Sequence, residues 1–198
     1  MGGLGSRSEV AAGTAERAKT GLLVVGSFVA LLFVVELINF LTLRSLNTIF
    51  GLRSRSADGV LDILTFPLLH ANIGHLTSNA LPLIIFGFLV FLAGVRVFVT
   101  TLSLSWLGSG AAVWLFGGGG ITVGASGLVF GLFAFLLVRG FLNRNWWQIL
   151  LSAILFLAYG SILLGVLPIV AGFISWQAHL GGALGGVLAA LLLKRPAR

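Results

Sequence analysis

The sequence contains no cysteine, which excludes disulfide bonds and any metal site built on thiolates. It is also poor in charge, because only 9% of its 198 residues are Asp, Glu, Lys or Arg. Soluble domains average about 25% charged residues, so this chain cannot cover a water-facing surface. With 58% hydrophobic residues and a mean hydropathy of +1.12, the composition predicts an all-α integral membrane protein.

Six apolar segments are candidates for membrane-spanning helices, since a bilayer core takes about 20 residues of helix. The segments are Gly21–Leu43, Asn79–Val95, Val97–Phe116, Ser126–Val138, Trp147–Leu167 and Gln177–Leu193. They predict a bundle of six transmembrane helices over residues 21–193, with a short fourth helix; five spans without that helix is the less favoured alternative. Residues 1–20, rich in Gly, Ala and Ser, predict a disordered tail, and residues 194–198 a basic tail.

The basic residues predict the orientation, because Lys and Arg are enriched in cytoplasmic loops. With six spans, nine of the 12 basic residues fall on the side that holds both termini: Arg7, Arg17, Lys19, Arg96, Arg139, Arg144, Lys194, Arg195 and Arg198. Both tails are therefore predicted to be cytoplasmic. The net charge of +7 indicates membrane topology, and no nucleic-acid partner is expected. A six-span core with short tails favours a bacterial cell membrane.

Ser126 stands in a small-residue stretch directly ahead of an apolar run. It lies 13 residues before Arg139, about 20 Å of helix, whereas the bilayer core is about 30 Å thick. With Arg139 at the inner interface, Ser126 lies roughly 10 Å below the outer one. The same measurement places His179 of the last segment and Asn79 of the second in a similar layer. The fourth helix is thus predicted to begin inside the membrane.

A serine beside a histidine is the minimal pair of nucleophile and base, in which the imidazole takes the hydroxyl proton. His75 and Asn79 are four residues apart on one helical face. With the backbone N–H of Ser126, they are candidate donors of an oxyanion hole. No carboxylate is placed to orient His179, which predicts a dyad. Taken singly, Ser126 also suits a helix N-cap, and His179 an interhelical hydrogen bond.

Three motifs carry these residues: HANIGHLTSN (His70–Asn79), GASG (Gly124–Gly127) and AHLGGALGG (Ala178–Gly186). Each is weak alone. Their order, spacing and placement on six spans resemble the rhomboid family of intramembrane serine proteases, over residues 62–193.

The resemblance implies that Ser126 is the nucleophile and His179 the base, and that His75 and Asn79 line the oxyanion hole with Ser126. It implies cleavage of single-span transmembrane proteins near their outer ends, within the lipid bilayer and without a cofactor or metal. Further residues are expected to support the site: Gly124, Gly127, Phe130, His70 and Gly182. His70 is expected to organise the loop before the second span.

The resemblance also implies a tight contact between the fourth and sixth spans. Gly127 and Gly131 in one, and Gly182 and Gly186 in the other, have the small-x3-small spacing that such a contact needs. The fifth span resembles the family's substrate gate, and the loop Pro168–Gln177 its cap.

The sequence departs from the family pattern at two places. Phe130 stands where many members have a tyrosine that packs on the histidine ring, and a phenylalanine can stack there equally. The outer loop Arg44–Gly74, which is expected to be a lateral support of the core, lacks the Trp-Arg pair that many members have. Glu36 is expected near the outer interface, hydrated or paired with an arginine, with Asn39 on the same face.

Two other functions compete with a protease. One is a catalytically inactive rhomboid-like protein that binds transmembrane clients, which loss of the serine or histidine would favour; both are present. The other is a small-solute transporter, which is disfavoured because the sequence shows neither related halves nor paired Gly/Pro-broken spans.

Overall fold

The structure is a computed structural model that describes residues 3–168 and 175–194. These residues form eight α-helices: α1 (Gly3–Leu41), α2 (Ser45–Phe50), α3 (Gly59–Asp62), α4 (Ile73–Leu92), α5 (Val95–Phe116), α6 (Ser126–Leu142), α7 (Trp146–Tyr159) and α8 (Trp176–Leu192). Short strands β1 (Leu52–Arg53) and β2 (Ile121–Thr122) and 3₁₀ helices at Phe66–Leu68 and Gly160–Val166 complete them. Most of the predicted cap, and residues 195–198 of the predicted basic tail, lie outside the described residues.

Four helical segments of the described chain are long and apolar enough to cross a membrane: Ala12–Leu41, Ile73–Leu92, Val95–Phe116 and Trp146–Val166. The helices α6 and α8 are apolar but have 17 residues each, about 26 Å. The prediction of an all-α protein with membrane-spanning helices is therefore confirmed, and the count of six spans stays a prediction.

Two helices begin earlier than hydropathy predicts. The helix α1 starts at Gly3, which corrects the disordered-tail prediction for residues 3–20. Extending an existing helix costs far less free energy than nucleating one, so the helix of the first span continues into the residues before it. The helix α4 starts at Ile73 rather than Asn79, because the side chain of Asn72 caps its first turn. Hydropathy misses such starts because first turns are polar.

The helix α6 lies in the middle of the bundle, in contact with α4, α5, α7 and α8. Eleven of its 17 residues are buried, including Phe133 and Phe135 with no exposed surface. The rings of Phe86 from α4 and Phe133 stack at 5.0 Å between centroids. A helix that is apolar on all sides belongs in such a central position, because every face finds an apolar neighbour.

The α6–α8 contact is made by backbone against backbone. A Cβ atom on Gly182 would collide with the carbonyl oxygen of Gly127, and one on Gly186 with that of Gly131. The predicted glycine contact between these two helices is confirmed. Because no side chain intervenes, the distance between the helix axes is set by the main chain itself.

The loop between α1 and α4 is held by tryptophans that reach up from α5. The indole N–H of Trp106 donates to the Ile63 carbonyl at 2.9 Å, and that of Trp114 to the Ser56 carbonyl at 2.9 Å. The pairing of β1 with β2 ties the same loop to the segment before α6. These contacts explain how the loop is anchored without a Trp-Arg pair of its own.

Candidate active site

The turn into α6 is shaped by Gly124. Its φ of +127° is a backbone conformation that residues with side chains rarely adopt. A Cβ atom there would also come within 2.5 Å of the His75 ring. Glycine therefore lets the chain turn sharply and lets this imidazole pack against the turn. Ser126 follows as the first residue of α6.

Ser126 and His179 meet across the α6–α8 contact. The hydroxyl oxygen of Ser126 lies 2.8 Å from Nε2 of His179, within hydrogen-bond distance. Both residues lie at the start of their helices. Ser126 is the first residue of α6, and His179 is in the first turn of α8, with 8% of its surface exposed. The two residues that share a predicted depth are thus direct neighbours.

The hydrogen bond of the second ring nitrogen, Nδ1, identifies the tautomer of His179. Its Nδ1 is 2.9 Å from the carbonyl oxygen of Gly165. A carbonyl oxygen only accepts, so Nδ1 carries the hydrogen, and in the neutral ring Nε2 is then an acceptor facing the Ser126 hydroxyl. This tautomer is the one that a general base requires.

Sequence reasoning missed Gly165, because the segment Trp147–Leu167 reads as one continuous span. In the structure this span is one helical segment, Trp146–Val166, in which α7 ends at Tyr159 and a 3₁₀ helix continues over Gly160–Val166. The change of helix type brings the Gly165 carbonyl to His179. The available signal was the pair of glycines in an otherwise apolar run, since glycine weakens an α-helix.

Phe130 packs flat on the catalytic candidate. Its ring and the imidazole of His179 are 4.0 Å apart between centroids and inclined by 8°. Phe130 lies one turn after Ser126 on α6, so the same helix holds the serine and one face of the imidazole. The predicted stacking of phenylalanine at this position is confirmed.

His75 and Asn79 lie on the first two turns of α4, beside the turn that precedes Ser126. The side-chain nitrogen of Asn79 donates to the His75 carbonyl at 3.0 Å, and Asn79 is 6% exposed. The amide is therefore bonded to its own helix rather than to the Ser126–His179 pair. The ring of His75 lies against Gly124 and makes an edge contact with His70 at 5.2 Å.

His70 is fully buried and supports the same turn. Its Nε2 accepts a hydrogen bond from the backbone N–H of Ala125 at 3.4 Å. Its carbonyl accepts from the amides of Asn39 at 3.3 Å and Asn47 at 3.0 Å. Burial, and secondarily the neighbouring His75, lowers the pKa of His70 to about 3. This imidazole is therefore neutral, and a structural role for it stays a prediction.

Glu36 lies next to this polar group and forms an ion pair. Its carboxylate accepts a hydrogen bond from the guanidinium of Arg44 at 2.6 Å. The predicted pairing with an arginine is confirmed, and Asn39, one turn further along α1, shares its buried face. Among the described residues, no three His, Asp or Glu side chains are grouped to hold a metal ion.

Comparison with known proteins agrees with the motifs. The chain matches the family model described as Rhomboid domain over residues 57–196. It is 44% identical over 180 residues to uncharacterized proteins of Mycobacterium tuberculosis and Mycobacterium bovis, which covers 87% of this chain and 75% of each relative. An uncharacterized protein of Mycobacterium leprae is 42% identical over an alignment of 203 positions, which covers 98% of this chain and 80% of that protein. On these matches, and on the arrangement of its helices, the chain belongs to the rhomboid family.

Proposed function

We propose that the protein is an intramembrane serine endopeptidase that works through a dyad of Ser126 and His179. The observation that carries the proposal is the 2.8 Å contact between the Ser126 hydroxyl and Nε2 of His179, with Nδ1 bonded to the Gly165 carbonyl. A backbone carbonyl here takes the orienting place that a carboxylate has in a triad.

In the proposed reaction the Ser126 oxygen attacks the scissile carbonyl while Nε2 of His179 takes the hydroxyl proton. The peptide C–N bond then breaks, and the imidazolium gives that proton to the leaving amine. A water molecule attacks the acyl-enzyme ester, again with His179 as base, and releases the new carboxyl end and the free serine. The carbonyl of Gly165 stabilises the imidazolium that forms in both halves.

The oxyanion of the tetrahedral intermediate needs hydrogen-bond donors. The backbone N–H of Ser126 is one candidate, because the first N–H groups of a helix have no partner within it. His75, packed at the turn before α6, and Asn79 are the others. The Asn79 amide has a second N–H besides the one donated to the His75 carbonyl, and we infer that this N–H donates to the oxyanion when substrate binds.

We further propose six spans with both ends cytoplasmic, in the cell membrane of a bacterium. The short helices α6 and α8, each about 26 Å long, then begin below the outer surface of a core about 30 Å thick. Single-span membrane proteins are the proposed substrates, cut near their outer ends. The mycobacterial relatives support a bacterial setting.

The experiment is cleavage of a model single-span protein by the purified chain in detergent and in liposomes. We expect Ser126→Ala and His179→Ala each to abolish cleavage, by at least about 10⁴-fold, because a dyad works as a unit. Asn79→Ala should lose about 10² to 10³-fold, the usual cost of one oxyanion donor. Ser103→Ala, which removes an exposed serine of α5, is the matched control.

A fluorophosphonate probe separates an enzyme from an inactive client-binding relative. It should label the wild type and Ser103→Ala and spare Ser126→Ala. Equal labelling of all three proteins removes Ser126 from the mechanism. Absence of labelling and of cleavage in the wild type, with transmembrane clients still bound, favours the inactive alternative.

A further inference from the structure

A cavity of about 340 Å³ lies at the end of the bundle away from Ser126. It is formed where the beginning of α1, the end of α4, the end of α6 and the beginning of α7 come together. Its lining includes three polar residues and several leucines: Arg17, Arg139, Gln148, Leu89, Leu136 and Leu151. The cavity takes no part in the proposed reaction, because Arg139 is 13 residues, about 20 Å of helix, from Ser126.

The polar side of this cavity offers hydrogen-bond donors with positive charge. Arg17 comes from α1 and Arg139 from the last turn of α6, and among the described residues that line the cavity none carries a carboxylate. The guanidinium of Arg139 lies over the Phe135 ring at 5.3 Å. Gln148 accepts a hydrogen bond from Asn143 at 3.0 Å through its carbonyl oxygen, so its own amide nitrogen remains a donor. Such a group of donors suits an anion.

The remaining wall is apolar and lies at the membrane interface. Leucines of α4, α6 and α7 form it. Trp146 and Trp147, directly before Gln148, are 63% and 73% exposed. Exposed tryptophans concentrate at the level of lipid headgroups, so they mark the height of the cavity in the bilayer. A ligand bound there meets arginines at the headgroup level and leucines towards the hydrocarbon.

We propose that this cavity binds an anionic phospholipid, with the phosphate between Arg17 and Arg139 and the acyl chains along the leucine wall. Arginine binds phosphate through two parallel N–H groups, and basic pockets between transmembrane helices hold anionic headgroups. A free phosphate ion uses the donors but gains nothing from the leucines, which is why a lipid is the better match. The bound lipid joins α1 to α6 and α7 at this end of the bundle.

The test is native mass spectrometry of the full chain in detergent, titrated with phosphatidylglycerol or with phosphatidylcholine of the same acyl chains. We expect one tightly held phosphatidylglycerol and about tenfold weaker binding of phosphatidylcholine. Arg17→Gln should weaken phosphatidylglycerol binding about tenfold, because a charged hydrogen bond contributes about one factor of ten. Arg17→Gln with Arg139→Gln should bring it to the level of phosphatidylcholine.

Lys19→Gln and Arg96→Gln are the matched controls. Each removes one positive charge from an exposed residue at the same end of the bundle but outside the cavity lining. A loss as large in these variants as in Arg17→Gln overturns the site, as does equal binding of the two lipids.

Displacement of phosphatidylglycerol by millimolar inorganic phosphate assigns the site to free phosphate and overturns the lipid. If Arg139→Gln fails to fold, Arg17→Gln decides, since its exposed side chain carries little of the packing. Proteolysis is not measured, so the result is independent of the proposed function.

Discussion

The central helix α6 has two neighbours that pack against it in opposite ways. Towards α8 the contact is backbone on backbone, through glycines that leave no room for a methyl group. Towards α7 the contact is made by side chains: the Ser152 hydroxyl donates to the Leu136 carbonyl at 2.8 Å, and Leu155 is buried. Further along, Phe156 and Leu157 of α7 are 53% and 85% exposed.

The difference shows where rigidity is needed. Main-chain atoms in contact cannot repack, so the α6–α8 contact holds Ser126 and His179 at one distance. Side chains at a half-exposed helix face can change rotamer at little cost, so the α6–α7 contact fixes its partners less tightly than the glycine contact does. The family resemblance implies a substrate gate in this segment, and the Gly165 carbonyl is where the segment contacts His179.

The largest expected effect comes from forcing α6 and α8 apart. In Gly186→Ala the new methyl group meets the Gly131 carbonyl, so the helices must separate. We expect a loss of about 1–3 kcal/mol of stability and at least about 10²-fold of activity, because a displacement of about 1 Å at a catalytic group costs that much. Thermal unfolding and cleavage in detergent measure both. Leu184 of α8 is 59% exposed, so Leu184→Ala should match the wild type in stability and in activity. Wild-type behaviour of Gly186→Ala removes the rigid contact from the explanation.

A smaller effect is expected at Gly165, where the 3₁₀ helix after α7 contacts His179. A Cβ atom on Gly165 would lie 2.9 Å from Nδ1 of His179 and 3.0 Å from the Phe130 ring. Gly165→Ala should therefore lower kcat about tenfold while the melting temperature changes little, since the imidazole is pushed off its position. Gly160→Ala is the matched control in the same 3₁₀ helix, because its methyl group meets only the Phe156 side chain at 3.3 Å. Equal kcat values for the two variants would show that Gly165 does not position His179.

The smallest effect concerns His70, the buried imidazole that bonds to the turn before α6. The pKa of His70 is lowered by burial from 6.5 to about 3, so between these pH values only the unfolded chain binds a proton there. The protonation of His70 therefore leaves the free energy of unfolding unaffected above pH 6.5 and decreases it progressively as the pH falls towards about 3.

We expect the melting temperature to fall by several degrees between about pH 7 and about pH 5, since about 1 kcal/mol corresponds to about 2–4 °C in a chain of this size. His70→Gln keeps a hydrogen-bond acceptor but cannot take up the proton, so its melting temperature should depend less on pH. Parallel pH profiles of the two proteins contradict a buried neutral imidazole.

Much of the site follows from residue type and spacing. Hydropathy located the apolar helices, and counting 1.5 Å per residue placed Ser126 and His179 in one layer. The small-x3-small spacing predicted which helices meet through glycine. These predictions depend on side-chain size and polarity, which are properties of each residue wherever it stands.

Other features depend on groups that every residue carries. The partner of Nδ1 in His179 is a backbone carbonyl, and nothing in the residue type marks Gly165 as that acceptor. The anchoring of the outer loop depends on carbonyls in the same way, since Trp106 and Trp114 bond to the backbone of residues more than 40 positions away. The earlier start of α1 and the 3₁₀ end of the fifth span arise from extension and packing that hydropathy does not register.

The sequence by itself determined the membrane setting and the family, and it identified the serine and histidine that we propose as nucleophile and base, because these depend on composition and on three short motifs. Only the tertiary structure decided the tautomer of His179, the support of the outer loop and the positive cavity at the far end. Each of these requires groups distant along the chain to meet, and backbone carbonyls or arginines acquire a specific partner only when the helices are packed.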